Sequence, residues 1–379
     1  MRTDIKSGRT VRQSGIELLR IIAMYLIVAH HMVNHNSFDF LGQDNSFRKV
    51  ILSLFKYIPG KIGIALFFIT SAWFLSSGNQ SLKKSCRKIW KLERAIVFWS
   101  LTALILQYHL DPGTIHLQQI ISALFPTVTQ LWWYTTCYVL FLIFLPFLNL
   151  SFYYKKIGQH DHKILAFVMI MVWGASSLIP YEALNIGLNI IGFIYVYTLI
   201  TYYRWYMQPL STKTALIIAT ACTLLLLAWN VSFELLYTDK HAGEYQALMY
   251  IMDREWSLPI LGLSLGMFII FSRMQFRSRI INTIASWTLG VYLITDHSYI
   301  RDLLWTQWFA FDKYYQSHFP VIIMLAISML VFTAGLVLEA VRKMMFQLIP
   351  MGDGVFNWLW NRCRLFVAHS TGQNDSSLD

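Results

Sequence analysis

The sequence predicts an all-α protein: a polytopic bundle of about ten transmembrane helices with both termini in the cytoplasm. Composition is the first reason. Of 379 residues, 56% are hydrophobic and only 13% charged, against roughly a quarter charged in a soluble domain. Mean hydropathy is +0.47. The second reason is that apolar runs of about 20 residues recur along the chain, the length that crosses a hydrocarbon core. The third is that basic residues bunch in alternate connections, the mark of short loops on the cytoplasmic side.

The apolar runs lie near 15–35, 60–78, 94–110, 131–150, 163–180, 184–203, 213–232, 256–272, 279–299 and 319–341. With the N-terminus inside, the inner segments collect Arg2, Lys6, Arg9 and Arg12, then Lys83 to Arg94, then Lys155, Lys156 and Lys163. Arg204 and Lys213 follow, then Arg273, Arg277 and Arg279, and finally Arg342, Lys343, Arg362 and Arg364. Omitting one span would scramble this alternation, so count and orientation support each other. The longest connections, 36–59, 111–130 and 233–255, all fall outside. The organisation is a cytoplasmic segment at 1–14, one transmembrane domain at 15–345 and a cytoplasmic tail at 346–379, polar and disordered from about Ser370.

The N-terminus resembles a signal peptide, with basic residues before an apolar run. That run ends in His30 and His31 without a small-residue cleavage site, so it reads as a retained helix. The 14 Trp and 20 Tyr suit aromatic belts at two lipid–water interfaces. Orientation and anionic lipid account for the net charge of +11, so nucleic acid is not expected as a partner. Cys86, Cys137, Cys222 and Cys363 have no metal-binding spacing and give no disulfide framework.

Ionisable groups inside a membrane are costly and point to function. The first run, GIELLRIIAMYLIVAHHMVNH, holds the best set. Arg20 and His31 are eleven residues apart, so on a helix they lie within about 20° of one another and about 16 Å apart along the axis. Glu17 sits one turn before Arg20. One stripe thus carries a charged pair at the cytoplasmic edge and an imidazole in the outer half. His30 points about 100° away from His31. The plain alternative is a snorkelling Arg and a hydrogen-bonded structural His. His31 and His35 have the i, i+4 spacing of metal ligands, but no Asp, Glu or Cys completes a set at a recognisable spacing, and no metal is expected.

In the second run, Gly63, Ala65, Ser71 and Ala72 allow close helix packing, and no G-x-S-x-G turn makes a nucleophile of Ser71. The inner segment SLKKSCRKIWKLERAIVFW serves orientation and also offers cations to an anionic donor, with Lys91 and Arg94 as specific contacts. Trp133 and Tyr134 belong to an aromatic group at the outer interface, either a belt or a stacking platform for a sugar. Asp296, His297 and Arg301 cluster at the outer end of the ninth run, where a carboxylate beside an imidazole can orient it. Residues 252–256, MDREW, open the eighth run from outside and are similarly placed.

Together these segments resemble acyltransferase family 3 of the membrane-bound bacterial O-acyltransferases, over roughly residues 13 to 345. The Arg20-to-His31 spacing in IELLRIIAMYLIVAHH matches the family's Arg, ten residues, His. FFITSAWFL is similar to its F-F-x-x-S-G-F-L, with Ala72 for the usual glycine. KIWKLERAIVFW resembles its Arg-rich start of the third helix, and WWYTTCYVLFLIFLPFLN its W-Y-x-x-x-L…L-P-x-L stretch. GVYLITDHSYIRDLLW is similar to its G-V-Y-L-I-H followed by Arg and Trp, with Thr295 where that His is common and His297 two residues on.

The resemblance implies transfer of an acyl group, most often acetyl from acetyl-CoA, to a carbohydrate hydroxyl. The donor is a cytoplasmic cosubstrate, no bound cofactor is implied, and members of the polysaccharide-modifying type act at the bacterial cell surface. It ties catalysis to the first-helix His, here His31. Arg20, Glu17, Lys91 and Arg94 are then donor-side residues, and Trp133, Tyr134, Asp296, His297 and Arg301 acceptor-side ones. His31 acts as general base on the sugar hydroxyl, or as a nucleophile through an acyl-imidazole. The rival reading is a multi-pass transporter or flippase for a glycan or small solute, against which the chain shows no inverted repeat and no paired Gly/Pro-broken helices.

Overall fold

Inside lipid no water satisfies backbone amides and carbonyls, so an apolar run that must cross coils into helix and bonds to itself. The computed structural model of the chain describes residues 13–39, 42–44, 46–76, 80–152, 157–179, 190–236, 252, 254–348 and 352–371. Regular structure among them is helix throughout: α1 (Ser14–Asn34), α2 (Phe47–Tyr57), α3 (Pro59–Leu75), α4 (Leu82–Leu110), α5 (Leu117–Leu124), α6 (Trp133–Phe152), α7 (Gln159–Met169) and α8 (Ile190–Tyr206). The series continues with α9 (Thr212–Leu236), α10 (Leu258–Ser272), α11 (Arg279–Ala285), α12 (Thr288–Thr295), α13 (Ser298–Asp302), α14 (Pro320–Leu348) and α15 (Asp353–Thr371).

Among the described residues, six helical stretches are long and apolar enough to cross a membrane: Ser14–Asn34, Phe47–Leu75, Trp133–Phe152, Gln159–Leu178, Thr212–Glu234 and Pro320–Gln347. The outward faces of these stretches are apolar. Leu140, Phe144 and Phe147 on α6, Leu216, Leu224 and Leu225 on α9, and Ile322, Leu330 and Val337 on α14 are all exposed, an apolar surface that fits lipid and not water.

The four remaining predicted spans fall on helix of other kinds. Span 94–110 is the second half of the longer α4. Span 256–272 corresponds to α10, of 15 residues. Span 184–203 overlaps α8, although 184–189 lie outside the described residues. Span 279–299 is not one helix but three, α11 to α13. Polar groups hold both breaks. Lys343 Nζ donates to the Ser286 carbonyl at 2.5 Å, supplying a partner where the backbone ladder stops, and Asp296 and His297 occupy the second break. Non-helical backbone is tolerated at membrane depth where protein surrounds it.

Two predicted outer connections also carry structure. Residues 36–59 contain α2, which packs on α1, α3 and α9. Ser53 Oγ donates to Asn230 Oδ1 at 3.2 Å, Asn230 Nδ2 donates to the Val50 carbonyl at 3.1 Å, and buried Lys49 lies 3.9 Å from Glu234. Residues 111–130 do not stay at the Leu110 end of α4. The helix α5 packs back along α4, and Thr127 Oγ1 donates to Glu93 Oε1 at 2.7 Å. Glu93 lies 17 residues before Leu110, about 25 Å along a helix axis, so this connection is re-entrant. The predicted tail at 346–379 likewise carries α15, which packs on α4. The basic residues at 2–12, Lys155 and Lys156, and most of 233–255 lie outside the described residues.

Pairwise packing closes a ring: α1 on α3, α3 on α8, α8 on α6, α6 on α4, α4 on α12 and α12 on α1. Helices α10, α11 and α14 pack against α1 from outside. The tightest seam is α1 with α3, which run antiparallel: His30 meets Gly60, Ala23 and Ile27 meet Gly63, and Arg20 lies over Phe67. A Cβ on Gly63 would sit 2.6 Å from both the Ala23 carbonyl oxygen and Ile27 Cγ1. Only glycine permits that approach. Ala65 and Ala72 are buried on the opposite face of α3, and Ser71 Oγ donates back to the Phe67 carbonyl at 2.9 Å, so these small residues pack inside the bundle as predicted.

Gly63→Val should separate α1 from α3 and destabilise the fold by about 1–3 kcal/mol or more, lowering the melting temperature of the detergent-solubilised protein. Gly113→Ala, where a Cβ meets nothing within 4 Å, should leave it unchanged. Equal melting of the two variants would contradict the seam.

Candidate active site

Inside the ring lies a small, partly open cavity. Helix α1 contributes Met24, Ile27 and His31, α3 contributes Ile64 and Phe67, α6 contributes Trp133 and Tyr134, and α12 contributes Leu289 and Tyr292. The α1 wall is the predicted stripe: Met24, Ile27 and His31 follow Arg20 at i+4, i+7 and i+11, one face of the helix. Arg20 sits one turn beyond this wall. Its Nη1 lies 3.2 Å from Glu17 Oε2, and its guanidinium rests 5.6 Å over the ring of Phe67, itself a wall residue. The cavity is therefore an aromatic chamber with an imidazole towards the Asn34 end of α1 and a paired guanidinium towards the Ser14 end.

The two adjacent histidines have different surroundings. His30 Nδ1 lies 3.2 Å from the Phe55 carbonyl, with the ring against Gly60; the plain structural reading applies to it. His31 is 7% exposed and lines the cavity, and its Nδ1 is buried without a hydrogen-bond partner among the described residues. A buried polar atom left unpaired is uncommon and calls for an explanation. Its Nε2 lies 3.8 Å from Asp296 Oδ1.

That carboxylate oxygen is the meeting point of the polar cluster. His35 Nε2 lies 3.9 Å from it and Arg301 Nη1 3.7 Å. The His31 and His35 rings are 5.1 Å apart. The sequence argument paired Asp296 with its neighbour His297; the fold pairs it with α1. The break between α12 and α13 causes this. Asp296 caps α12, its amide bonding to the Tyr292 carbonyl, while His297 takes extended backbone angles and its ring sits 5.5 Å from Trp132, edge to face. His297 is not among the wall residues. Thr295, where the resembling family often has His, is buried and returns its hydroxyl to the Val291 carbonyl at 2.9 Å.

Of the donor-side set, Arg20 touches the wall residue Phe67 from beyond the cavity and is paired with Glu17, whereas Lys91 and Arg94 are not on the wall. Lys91 is exposed, and Arg94 lies 5.0 Å over Phe346 on α14. Arg342 stacks on the same ring at 5.1 Å and binds Glu339 through two bonds of 2.8 and 2.6 Å. Trp99 Nε1 donates to the same carboxylate at 2.9 Å. Of the acceptor-side set, Trp133 and Tyr134 form cavity wall instead of a surface belt. Arg301 reaches the cluster through Asp296. At 252–256, Lys61 Nζ binds Glu255 at 2.8 Å, Arg254 donates to the Ser176 carbonyl and buried Trp256 packs on Gly192; Asp253 lies outside the described residues.

Sequence reasoning passed over His35 as a partner of Asp296, over Tyr292, and over Glu339. A signal existed for Glu339, a carboxylate in the otherwise apolar run LVFTAGLVLEAV. For the approach of Asp296 to His31 there was none, because it depends on tertiary packing across 265 positions of chain.

The family model described as an acyltransferase domain, of acyltransferase family 3, matches residues 13–339. No curated protein and no solved structure matches the chain. The matched stretch takes in every wall residue of the cavity and the whole Asp296 cluster, and the chain belongs to acyltransferase family 3, whose members are membrane acyltransferases.

Proposed function

We propose that the chain is an O-acyltransferase that moves an acyl group, acetyl by preference, from cytoplasmic acyl-CoA to a hydroxyl of a cell-surface or lipid-linked carbohydrate. The observation that carries this reading is His31: an imidazole on the wall of the chamber, with one ring nitrogen unpartnered among the described residues and the other facing a carboxylate. The topology belonging to it is a multi-pass protein of the bacterial cytoplasmic membrane, about ten helices with the Ser14 end of α1 inside. Arg20 then faces the donor side and the Asp296 cluster the acceptor side.

In this reading the proton on His31 sits on Nε2, towards Asp296, and the lone pair on Nδ1 faces the reactants. A carboxylate on one nitrogen selects the tautomer that makes the other a base. The acceptor oxygen attacks the thioester carbonyl while Nδ1 takes its proton. The C–S bond then breaks, and the CoA sulfur leaves with a proton returned from the imidazolium. Asp296 stabilises that cation while it exists. The 3.8 Å separation is longer than a hydrogen bond and closes as substrates order the site, as catalytic contacts commonly do. Arg20, held by Glu17, offers its guanidinium to donor phosphates, and Lys91 and Arg94 form a second basic surface further along the donor side. Trp133 and Tyr134 give flat faces for a sugar ring.

His31→Ala should lower transfer of labelled acetyl from acetyl-CoA in isolated membranes by about 10²–10⁴-fold, the range of a general base. His30→Ala should act through stability and spare the rate per folded molecule. Near-normal turnover in His31→Ala would remove the mechanism. Asp296→Asn keeps the volume and loses the charge. It should lower kcat on the order of 10–10³-fold with little change in KM for acetyl-CoA, and a change confined to KM would place Asp296 in binding instead.

The orientation has its own readout. With Cys86, Cys137 and Cys222 replaced by Ser, exposed Cys363 on α15 should react with an impermeant maleimide in inverted vesicles and not in intact cells. Labelling in intact cells would reverse the topology.

A further inference from the structure

Asp296 Oδ1 has three nitrogens within 4 Å: His31 Nε2 at 3.8 Å, His35 Nε2 at 3.9 Å and Arg301 Nη1 at 3.7 Å. One ligand atom each from His31, His35 and Asp296 lies within 4.8 Å of the other two. We propose that these three side chains form a site for a divalent transition-metal ion of the zinc class, reached from the Asn34 end of α1, and that an ion there blocks the imidazole used in acyl transfer. The consequence for catalysis rests on the assignment of His31 as the base; the ion site itself does not.

The donor chemistry fits. Two imidazoles and one carboxylate are the borderline ligands that zinc takes, and three protein ligands leave a fourth position for water. The spacing fits as well. With 4.8 Å as the longest side of the triangle, the point equidistant from the three atoms lies about 2.5 Å from each, a few tenths of an ångström outside a zinc bond of about 2.0–2.2 Å. Small rotations of the two rings close that gap. His31 and His35 stand one helical turn apart on rigid α1, so two ligands are already aligned. His35 is also the more open of the pair, its side chain 25% exposed against 9% for His31.

Two cations oppose the ion. Lys61, paired with Glu255 at 2.8 Å, acts electrostatically on both imidazoles and is fixed by its partner. Arg301 holds the very oxygen the ion needs. Its side chain is 31% exposed and already 4.0 Å from Asp302, so it has water and a second carboxylate to turn to. Ion and guanidinium therefore compete for one carboxylate, and removing the guanidinium must tighten the site. A cluster that only holds the fold would show no such gain.

The test is calorimetric titration of ZnCl₂ into the full chain purified in detergent. The wild type and His318→Ala, an exposed histidine elsewhere, should each bind one ion with the same affinity. His35→Ala and His35→Gln should bind at least tenfold more weakly, and Arg301→Gln at least threefold more tightly. Half-inhibition of acetyl transfer should follow the same order. Equal zinc affinity in the wild type and both His35 variants overturns the site, as does an unchanged affinity in Arg301→Gln. If the affinities fall in the expected order while saturated enzyme still transfers acetyl, the site holds and the assignment of His31 as the base fails.

Discussion

A carboxylate inside a membrane bundle must be neutralised by what surrounds it, and the polar interior of this protein is arranged to meet that demand at Asp296. An isolated charge there would cost several kcal/mol. Two imidazoles from α1 and a guanidinium from α13 converge on one of its oxygens, and that convergence sets the register between α1 and the broken helix opposite. Once the register is fixed, Tyr292 and Leu289 on α12 face Met24, Ile27 and His31 on α1, and the chamber between them is defined. The Gly63 seam then fixes α3 on the other flank. Electrostatics positions one wall of the chamber and close packing the next.

The ring of helices explains why the two adjacent histidines differ. On a helix, neighbours point about 100° apart, so one face of α1 cannot serve both. His30 turns into the α2–α3 corner, where a carbonyl and a glycine receive it. His31 turns into the ring, where one nitrogen faces a carboxylate and the other has no hydrogen-bond partner among the described residues. The first histidine is held as structure, and the second is the one the proposed function uses. Arg20, eleven residues before His31, returns to the same face and stacks on Phe67 at the far end of the chamber.

What could be read from the sequence followed the periodicity of single helices. The stripe from Arg20 to His31, the small residues of α3 and the helical character of the apolar runs among the described residues needed only local geometry. What escaped needed tertiary context. The 279–299 run has the hydropathy of one span, yet it breaks twice because Lys343 and the Asp296–His297 pair satisfy the backbone and side chains at the breaks. The connections at 36–59 and 111–130 are too polar or too short to read as spans, and their folding back on α9 and α4 depends on Asn230 and Glu93, residues far away in sequence. Lys91 and Arg94 were read as one donor group with Arg20 because charge alone cannot say which side of a bundle a helix faces. The fold sends Arg94 to Phe346, beside Arg342.

That separation makes these basic residues two groups with different physics. Arg20 stands where the chamber begins, paired with a partly buried acid and an aromatic face, so its charge acts in surroundings that screen it weakly. Arg94 and Arg342 share one phenyl ring outside the chamber, and Arg342 is already neutralised by Glu339 through two bonds. A long anionic donor such as a coenzyme A thioester has its phosphates at one end and its acyl carbon at the other. Under the proposed function, the charged end of such a donor would lie on the Arg94 and Arg342 surface and its thioester arm would pass Arg20 towards His31.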